Sequence, residues 1–231
     1  MPTALVTGAS SGIGRAVAVD LLAAGWDVSA VARDAPRTAP DGTHPVAADL
    51  AGEDGCRAAV DAHRARFGRL DLLVNSAGVA IGGPVEGIAT ADWDRQFDVN
   101  VRGLFLVTRA ALPLLREARG MVVNVASISG LRGSPDLSAY SATKHAVIGF
   151  TRSLNEELRG TGVRSTAVCP HFVATPMAAW IRDRLPFEEM IQPEDVARTI
   201  RFLLDLSPVC LVPEIAIDHA SRRETGAPPP T

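Results

Sequence analysis

The stretch Thr7-Gly8-Ala9-Ser10-Ser11-Gly12-Ile13-Gly14 lies between a short apolar run and a helical pattern. The apolar run Ala4-Leu5-Val6 predicts a strand before it, and residues 15–24 predict a helix after it. Glycine permits a tight turn and a close approach of backbone N–H groups to a phosphate at the positive end of a helix. The pattern therefore favours a phosphate-binding turn over a glycine-rich turn without a ligand.

Short apolar runs and longer amphipathic stretches alternate along the rest of the chain. Further strands are predicted over 27–32, 46–48, 70–74, 121–125, 163–168 and 214–217. Helices are predicted over 54–67, 91–119, 138–159, 175–185 and 193–206, with a kink or break at Pro113. Residues 34–45 hold three prolines and a glycine, which predicts a loop. We therefore expect an α/β fold with one Rossmann-like, doubly wound parallel sheet of about seven strands and helices on both faces.

The composition is that of an ordinary globular domain, with 231 residues, 47% of them hydrophobic, and a net charge of -3. We expect one domain over 1–219 and a disordered, proline-rich tail over 220–231. The charge balance gives no reason to expect a nucleic-acid or membrane partner. The chain shows no apolar run of about 18 residues and no signal-peptide pattern. Its three cysteines lack metal-ligand spacing, so we expect a reduced, cytoplasmic protein without a bound metal.

The basic residues are 22 arginines and a single lysine, Lys144, which follows the single tyrosine, Tyr140, by four residues. Residues four apart share one face of a helix. A nearby cation favours the phenolate and lowers the pKa of a phenol from its usual value of about 10. A compact ammonium differs from the planar guanidinium fork, which explains why arginine would not substitute here. We therefore expect Tyr140 to be a general acid or base with a lowered pKa; the alternative is an incidental surface pair.

Ser127 comes directly after the strand predicted over 121–125 and the following Ala126. A hydroxyl at the carboxyl end of a strand can hydrogen-bond a substrate carbonyl and stabilise the negative charge that develops on it. Ser129 competes for this role, and a loop-capping serine is the alternative reading of Ser127.

If the phosphate at the glycine turn belongs to NAD or NADP, the preference between these two cofactors depends on the residues at the end of the second predicted strand. A carboxylate at position 32 would bind the ribose 2′-hydroxyl of NAD, but Ala32 stands there. Arg33 can pair with a 2′-phosphate, which favours NADP(H). NAD(H) stays possible, because Asp34 could serve a 2′-hydroxyl and Arg33 could simply be solvated.

Taken together and in order, these motifs resemble the short-chain dehydrogenase/reductase family over residues 3 to about 206. The glycine turn has the form T-G-x-x-x-G-x-G, and Tyr140 and Lys144 belong to a Y-x-x-x-K motif that Ser127 precedes by thirteen residues. Three further matches are the N-N-A-G-like turn Asn75-Ser76-Ala77-Gly78, the helix asparagine Asn100, and the segment 170–177 after the sixth strand.

The resemblance implies an oxidoreductase that transfers a hydride between a nicotinamide and a carbonyl or secondary alcohol. It implies that Tyr140 moves the proton, Lys144 holds the nicotinamide ribose, Ser127 orients the carbonyl, and Asn100 holds a water that relays protons. It further implies a homodimer or homotetramer acting on a small molecule. The cofactor-binding residues it implies, besides Arg33, are Gly8, Ser10, Ser11, Gly12, Ile13, Gly14, Asp49, Leu50, Asn75, Ala77, Gly78, Tyr140, Lys144, Pro170, Val173 and Thr175.

Three features depart from the family pattern. The helix usual after the second strand is missing, His171 replaces the glycine after Pro170, and the C-terminus lacks the D-G-G ending. His171 is either a substrate contact or a tolerated loop residue. Phe172, Met177 and Trp180 suggest an apolar part of the substrate, although they could equally form the core of a flap.

Two other functions fit the same fold. A non-redox lyase is one, but such relatives lose the glycine turn or replace the lysine, and both are intact here. A non-catalytic dinucleotide-binding sensor is the other, and it would not need Ser127, Tyr140 and Lys144 together. The substrate itself stays open: a 3-oxoacyl thioester, a ketosteroid, a sugar and a secondary-metabolite ketone all fit.

Overall fold

The computed structural model describes residues 1–220, in which seven strands form one parallel sheet. The strands are β1 (Thr3–Thr7), β2 (Asp27–Ala32), β3 (His44–Ala47), β4 (Leu72–Asn75), β5 (Met121–Val125), β6 (Arg164–Pro170) and β7 (Glu214–Ile217). Their order across the sheet is β3-β2-β1-β4-β5-β6-β7. The predicted Rossmann-like fold is therefore confirmed. The tail predicted over 220–231 lies, apart from Ala220, outside the described residues.

Helices cover both faces of the sheet. They are α1 (Gly12–Ala23), α2 (Ala35–Thr38), α3 (Glu53–Phe67), α4 (Thr90–Phe97), α5 (Leu104–Ala118), α6 (Ser138–Glu157) and α7 (Pro193–Asp205). On one face α1 and α7 bury side chains such as Leu21 and Ile200 against the strands. On the other face α3, α5 and α6 bury Val60, Val107 and Leu154. This two-sided burial explains why the strands are continuous apolar runs. No helix within 1–220 is long and apolar enough to cross a membrane.

The strand order reverses between β1 and β4, and this is where such sheets form their ligand crevice. Gly8, which follows β1, has a φ of 67°, a value that favours glycine. A Cβ atom on Gly8 would lie 2.8 Å from the Cα atom of Ala77, which follows β4. The two loops therefore meet closely at the switch point, and no larger residue fits at position 8.

The helix predicted over 91–119 is in fact three segments. A π-helical turn, Asp98–Gly103, separates α4 from α5. A Cβ atom on Gly103 would collide with the carbonyl oxygen of Leu50, so this turn is shaped by contact with the loop after β3. The helix is not broken at Pro113, because α5 continues through this residue. Proline has no N–H, so the carbonyl of Arg109, four residues earlier, has no hydrogen-bond donor within the helix. Both residues are exposed, and water can therefore hydrate this carbonyl.

Two other predictions need correction. The segment 34–45 is not all loop, since Ala35–Thr38 forms one helical turn. Pro36 suits the first turn of a helix because no N–H is needed there. The helix predicted over 175–185 is wrong. Pro176–Ile181 is a 3₁₀ helix, and a second one, Phe187–Glu189, follows Pro186.

A matched pair of glycine substitutions tests the contact that shapes the π-helical turn. Gly103→Ala should lower the free energy of unfolding by about 1–3 kcal/mol, because the new methyl group displaces the backbone at Leu50. Gly149→Ala is the control. Gly149 lies in α6 with open space around it, so alanine should raise the free energy of unfolding by about 0.5–1 kcal/mol. Denaturant unfolding measures both. Equal stability of the two variants would contradict this reading of the turn.

A buried histidine joins α3 to the sheet. His63 is fully buried, and its Nε2 lies 2.8 Å from the carbonyl oxygen of Arg69. A carbonyl only accepts, so Nε2 carries the proton and donates it. Nδ1, 2.8 Å from the Ser29 hydroxyl, then accepts. Protonation of His63 would remove that acceptor, and burial lowers the pKa of His63 below its ordinary value.

This arrangement predicts a loss of stability at acidic pH. Because the folded pKa of His63 is lowered from 6.5, the unfolded chain binds the proton first as the pH falls through 6.5. Stability should therefore fall below that pH, by at most about 1.4 kcal/mol per pH unit for one group. Unfolding of wild type and His63→Gln, compared at pH 7.5 and 5.5 by denaturant titration, checks this. His171, whose pKa burial also lowers, should leave a residual slope in the variant. An unchanged slope in His63→Gln would contradict the assignment.

Candidate active site

A cavity of about 610 Å³ opens at the carboxyl ends of the strands. It runs along the glycine turn, the ends of β2 and β3, the loop after β4, and the residues that follow β5 and β6. Predicted cofactor residues that line it are Gly8, Ser10, Ser11, Gly12, Ile13, Gly14, Arg33, Asp49, Leu50, Ala77, Gly78, Tyr140, Lys144, Pro170, Val173 and Thr175. Predicted substrate residues that line it are Ser127, His171, Phe172, Met177 and Trp180. The sequence patterns thus single out residues that meet in one cavity.

The glycine turn forms one wall of the cavity, and its glycine positions have no room for a side chain. Helix α1 begins inside the turn, at Gly12, which has a φ of 53°. A Cβ atom on Gly14 would collide with the carbonyl oxygen of Gly8, and one on Gly12 would lie 2.9 Å from Cγ2 of Thr175. A bare backbone at the N-terminus of a helix, facing a cavity, suits a phosphate group. These residues fit the diphosphate of a dinucleotide.

Arg33 and Asp49 lie in the wall formed by the ends of β2 and β3. Arg33 is exposed and makes no ion pair with any other residue of 1–220. Asp34 does not line the cavity, and its carboxylate lies 3.4 Å from the guanidinium of Arg37. Of the two residues considered for the ribose, Arg33 is therefore the one placed to meet a ligand.

Ser127, Tyr140 and Lys144 meet at the end of β5. Ser127 follows β5; its hydroxyl accepts a hydrogen bond of 3.1 Å from the backbone N–H of Ser129, and it is the side chain that lowers the pKa of Tyr140. Lys144 lies one helical turn beyond Tyr140 on α6, and its Nζ donates a hydrogen bond of 2.8 Å to the carbonyl oxygen of Val125. Nζ also lies 5.6 Å from the centroid of the Tyr140 ring. Ser129, the competitor, pairs its hydroxyl with that of Ser134 at 3.3 Å, so Ser127 is the serine that faces Tyr140.

The acid–base properties of this group differ from the expectation. Burial raises the pKa of Tyr140 to about 12, against a smaller lowering by the nearby Ser127 hydroxyl. The predicted lowered pKa is therefore wrong for this arrangement, since Lys144 points its ammonium at the carbonyl oxygen of Val125. Burial also lowers the pKa of Lys144 to about 8. At neutral pH Tyr140 is thus a neutral phenol that can donate a proton, and Lys144 is still charged.

Two asparagines of the predicted site do not line the cavity. Asn100 is buried in the π-helical turn and exchanges two hydrogen bonds of 2.8 Å with the backbone of Val79. Its amide also donates to the hydroxyl of Thr143. Asn75 donates to Thr108 and to Asn124, which join α5 and β5 to β4. Both side chains therefore position the loop after β4 and its neighbours.

A flap after β6 closes the cavity on its apolar side. Phe172 packs edge-on against His171, with ring centroids 4.6 Å apart, and against Trp180, at 5.9 Å. Met177 is 45% exposed, so it does not belong to the flap's buried core. The core consists instead of Ala178, Ile181, Leu185 and Met190. The aromatic side chains thus pack beside that core and also face the cavity.

Sequence reasoning missed several residues of the wall. They are Val31, Ala32, Ala48, Ala51, Ser76, Val79, Ala80, Arg95, Val99, Val125, Ala126, Ser134, Pro135, Leu137, Pro176 and Ala178. Ser129, named above as the competitor of Ser127, lines the wall as well. Most of them adjoin a predicted site residue along the chain, and that adjacency was an available signal. Val99 stands next to the predicted site residue Asn100, whereas no motif marks Arg95 on the helical pattern of 91–119.

Comparison with known proteins agrees with this geometry. The family model described as short chain dehydrogenase matches residues 2–186. A 3-oxoacyl-[acyl-carrier-protein] reductase of Synechocystis is 38% identical over 216 residues, which cover 87% of each chain. A 2-(R)-hydroxypropyl-CoM dehydrogenase of Xanthobacter autotrophicus is 39% identical over 225 residues, covering 87% of this chain and 90% of that one.

A solved structure is similar over nearly the whole chain. It is the 3-ketoacyl-(acyl-carrier-protein) reductase of Brucella melitensis complexed with NADH, with a TM-score of 0.85 and 34% identity. The match covers 94% of this chain and 96% of that one. Motif order, sheet topology, cavity and relatives agree, and the chain belongs to the short chain dehydrogenase family.

Proposed function

We propose that the protein is an NADP(H)-dependent carbonyl reductase. The observation that carries the proposal is the meeting of Ser127, Tyr140 and Lys144 in the same cavity as the glycine turn. The nicotinamide, when bound, supplies the hydride. The names of the relatives in Synechocystis and Brucella, both reductases of 3-oxoacyl or 3-ketoacyl groups, support reduction as the reaction class.

Each of the three side chains has a distinct task in this proposal. The Ser127 hydroxyl holds the substrate carbonyl oxygen and stabilises the charge that develops on it. Tyr140, neutral because burial raises its pKa to about 12, donates its proton to that oxygen. Lys144 lines the cavity one helical turn beyond Tyr140 and, in this proposal, holds the nicotinamide ribose.

Substitution of the single tyrosine and, separately, of the single lysine tests these roles. Tyr140→Phe keeps the ring but loses the proton donor, so the reduction rate should fall about 10²- to 10⁴-fold with folding intact. Lys144→Arg should also be strongly impaired, because Lys144 is only 6% exposed and a guanidinium cannot take the place of its ammonium near the carbonyl oxygen of Val125. Nicotinamide absorbance with a panel of ketones measures the rate, and circular dichroism checks folding.

The pH profile separates the two groups. Because the pKa of Lys144 is lowered to about 8, its charge is lost as the pH rises through 8, and kcat/KM for reduction should fall there. Tyr140 stays protonated over the same range. A Tyr140→Phe enzyme with most of its activity, or a Lys144→Arg enzyme equal to wild type, would refute the mechanism.

The preference for NADP(H) rests on Arg33, which is exposed in the cavity wall and unpaired among residues 1–220. Arg33→Asp should weaken NADPH binding by about 2–4 kcal/mol, because a paired charge is removed and an opposing one introduced. The affinity for NADH should be unchanged or higher. Arg37→Asp is the matched control, since it makes the same charge change outside the cavity wall. Fluorescence titration with both cofactors measures the dissociation constants. Equal losses for NADPH and NADH would show that Arg33 does not bind the 2′-phosphate.

A further inference from the structure

His171 stands where the cavity meets the edge of the sheet. It directly follows β6, and its backbone N–H donates a hydrogen bond of 2.9 Å to the carbonyl oxygen of Ile217, the last residue of β7. Its ring lines the same cavity as Ser127 and Tyr140. The backbone of His171 is therefore fixed by the sheet while its side chain faces the place proposed for the substrate.

The two nitrogens of this ring have different surroundings. Nδ1 is buried, has no hydrogen-bond partner within residues 1–220, and lies 3.9 Å from Oδ1 of Asp218. Asp218 in turn lies 3.8 Å from the guanidinium of Arg132. Nε2 is not among the buried unpartnered atoms and makes no hydrogen bond in the described part of the chain. Nε2 is thus the polar atom of the ring that a ligand can reach.

The charges around the ring decide which nitrogen carries the proton. Burial lowers the pKa of His171 below its ordinary value, and Arg132 and His219 lower it further, against the opposing effect of Asp218. The imidazole is therefore neutral at pH 7 and holds one ring proton. The carboxylate of Asp218 attracts that proton to Nδ1, although 3.9 Å is too long for a direct hydrogen bond. Nε2 then presents a lone pair, and it accepts hydrogen bonds.

The wall beside Nε2 is apolar and aromatic. The ring of Phe172 meets that of His171 at an interplanar angle of 61°, and Trp180 meets Phe172 at 73°. All three rings line the cavity. Because the rings are inclined to one another, they present both ring faces and ring edges to the cavity, and a planar apolar ring of a ligand can pack against either.

We propose that His171 is a specificity-determining residue whose Nε2 accepts a hydrogen bond from a hydroxyl group of the substrate, so that the preferred substrates are ketones with a hydroxyl group on a planar apolar frame. The inference rests on the proposed carbonyl reductase activity and adds the substrate class. Asp218 is a positioning residue, because it acts only through the ring proton of His171.

A kinetic comparison tests the hydroxyl contact. Acetophenone, 3′-hydroxyacetophenone and 4′-hydroxyacetophenone differ only by the hydroxyl group, and kcat/KM is measured for each with NADPH. In the wild type we expect at least one hydroxylated ketone to exceed acetophenone by about 3- to 10-fold, the worth of one neutral hydrogen bond. His171→Phe keeps a ring against Phe172 but removes the acceptor, so the ratio should fall to about 1. His44→Phe makes the same change outside the cavity wall and should keep the ratio.

Nitrogen NMR of the imidazoles tests the proton position without any turnover. In the free protein His171 should be the neutral tautomer with the proton on Nδ1. Asp218→Ala should move the population toward the Nε2–H tautomer, which a purely structural role of Asp218 would not do. A proton on Nε2 in the wild type, or a hydroxyl preference unchanged in His171→Phe, would overturn the proposal. Failure of wild type to reduce any ketone, with the Nδ1–H tautomer present, would instead overturn the reductase assignment.

Discussion

The hydrogen bond from Lys144 Nζ to the carbonyl oxygen of Val125 is the contact on which the site depends. It ties α6 to the end of β5 and thereby sets Tyr140 against Ser127, which follows β5. A buried ammonium must have a partner, because an isolated buried charge is costly. In a chain with 22 arginines and one lysine, that buried position holds the lysine. The same burial that fixes Lys144 lowers its pKa, and the burial of the neighbouring phenol raises that of Tyr140.

A network of buried hydrogen bonds also joins β4, β5 and α6. Asn75 on β4 donates to Asn124 on β5, and Asn124 donates to Thr151 on α6 at 2.9 Å. Thr151 in turn donates to the carbonyl oxygen of Val147 in its own helix. Buried amides must be paired to be tolerated, so these bonds favour one arrangement of the strands and of α6. The side chains that carry the proposed chemistry are held on elements that this network joins.

Local patterns were sufficient to predict the sheet and to single out residues that line one cavity. The apolar runs that become β1, β4 and β5 are buried on both faces, and two-sided burial leaves a strong signal in a sequence. The glycine turn and the spacing of Tyr140 and Lys144 are also local. Their prediction needed no knowledge of distant contacts.

What could not be predicted depends on contacts between distant parts of the chain. The π-helical turn follows from the approach of Gly103 to the backbone of Leu50, which no periodicity of residues 91–119 reveals. Asn75 was assigned to the cofactor, but it does not line the cavity, and its amide nitrogen donates to Thr108 and Asn124, 33 and 49 positions away. The pKa of Tyr140 was expected to be low from the neighbouring lysine alone. Burial, which only the assembled fold determines, has the larger effect.

The single tyrosine allows the central claim to be measured directly. The ultraviolet absorbance of the phenolate reports the ionisation of Tyr140 alone, since the chain has one tyrosine. The free protein is titrated to alkaline pH while circular dichroism follows its folding. As long as the protein stays folded, no phenolate should form until the pH approaches the pKa of Tyr140, about 12. Half-ionisation of Tyr140 at or below about pH 10, the value of a free phenol, in the folded protein would contradict it.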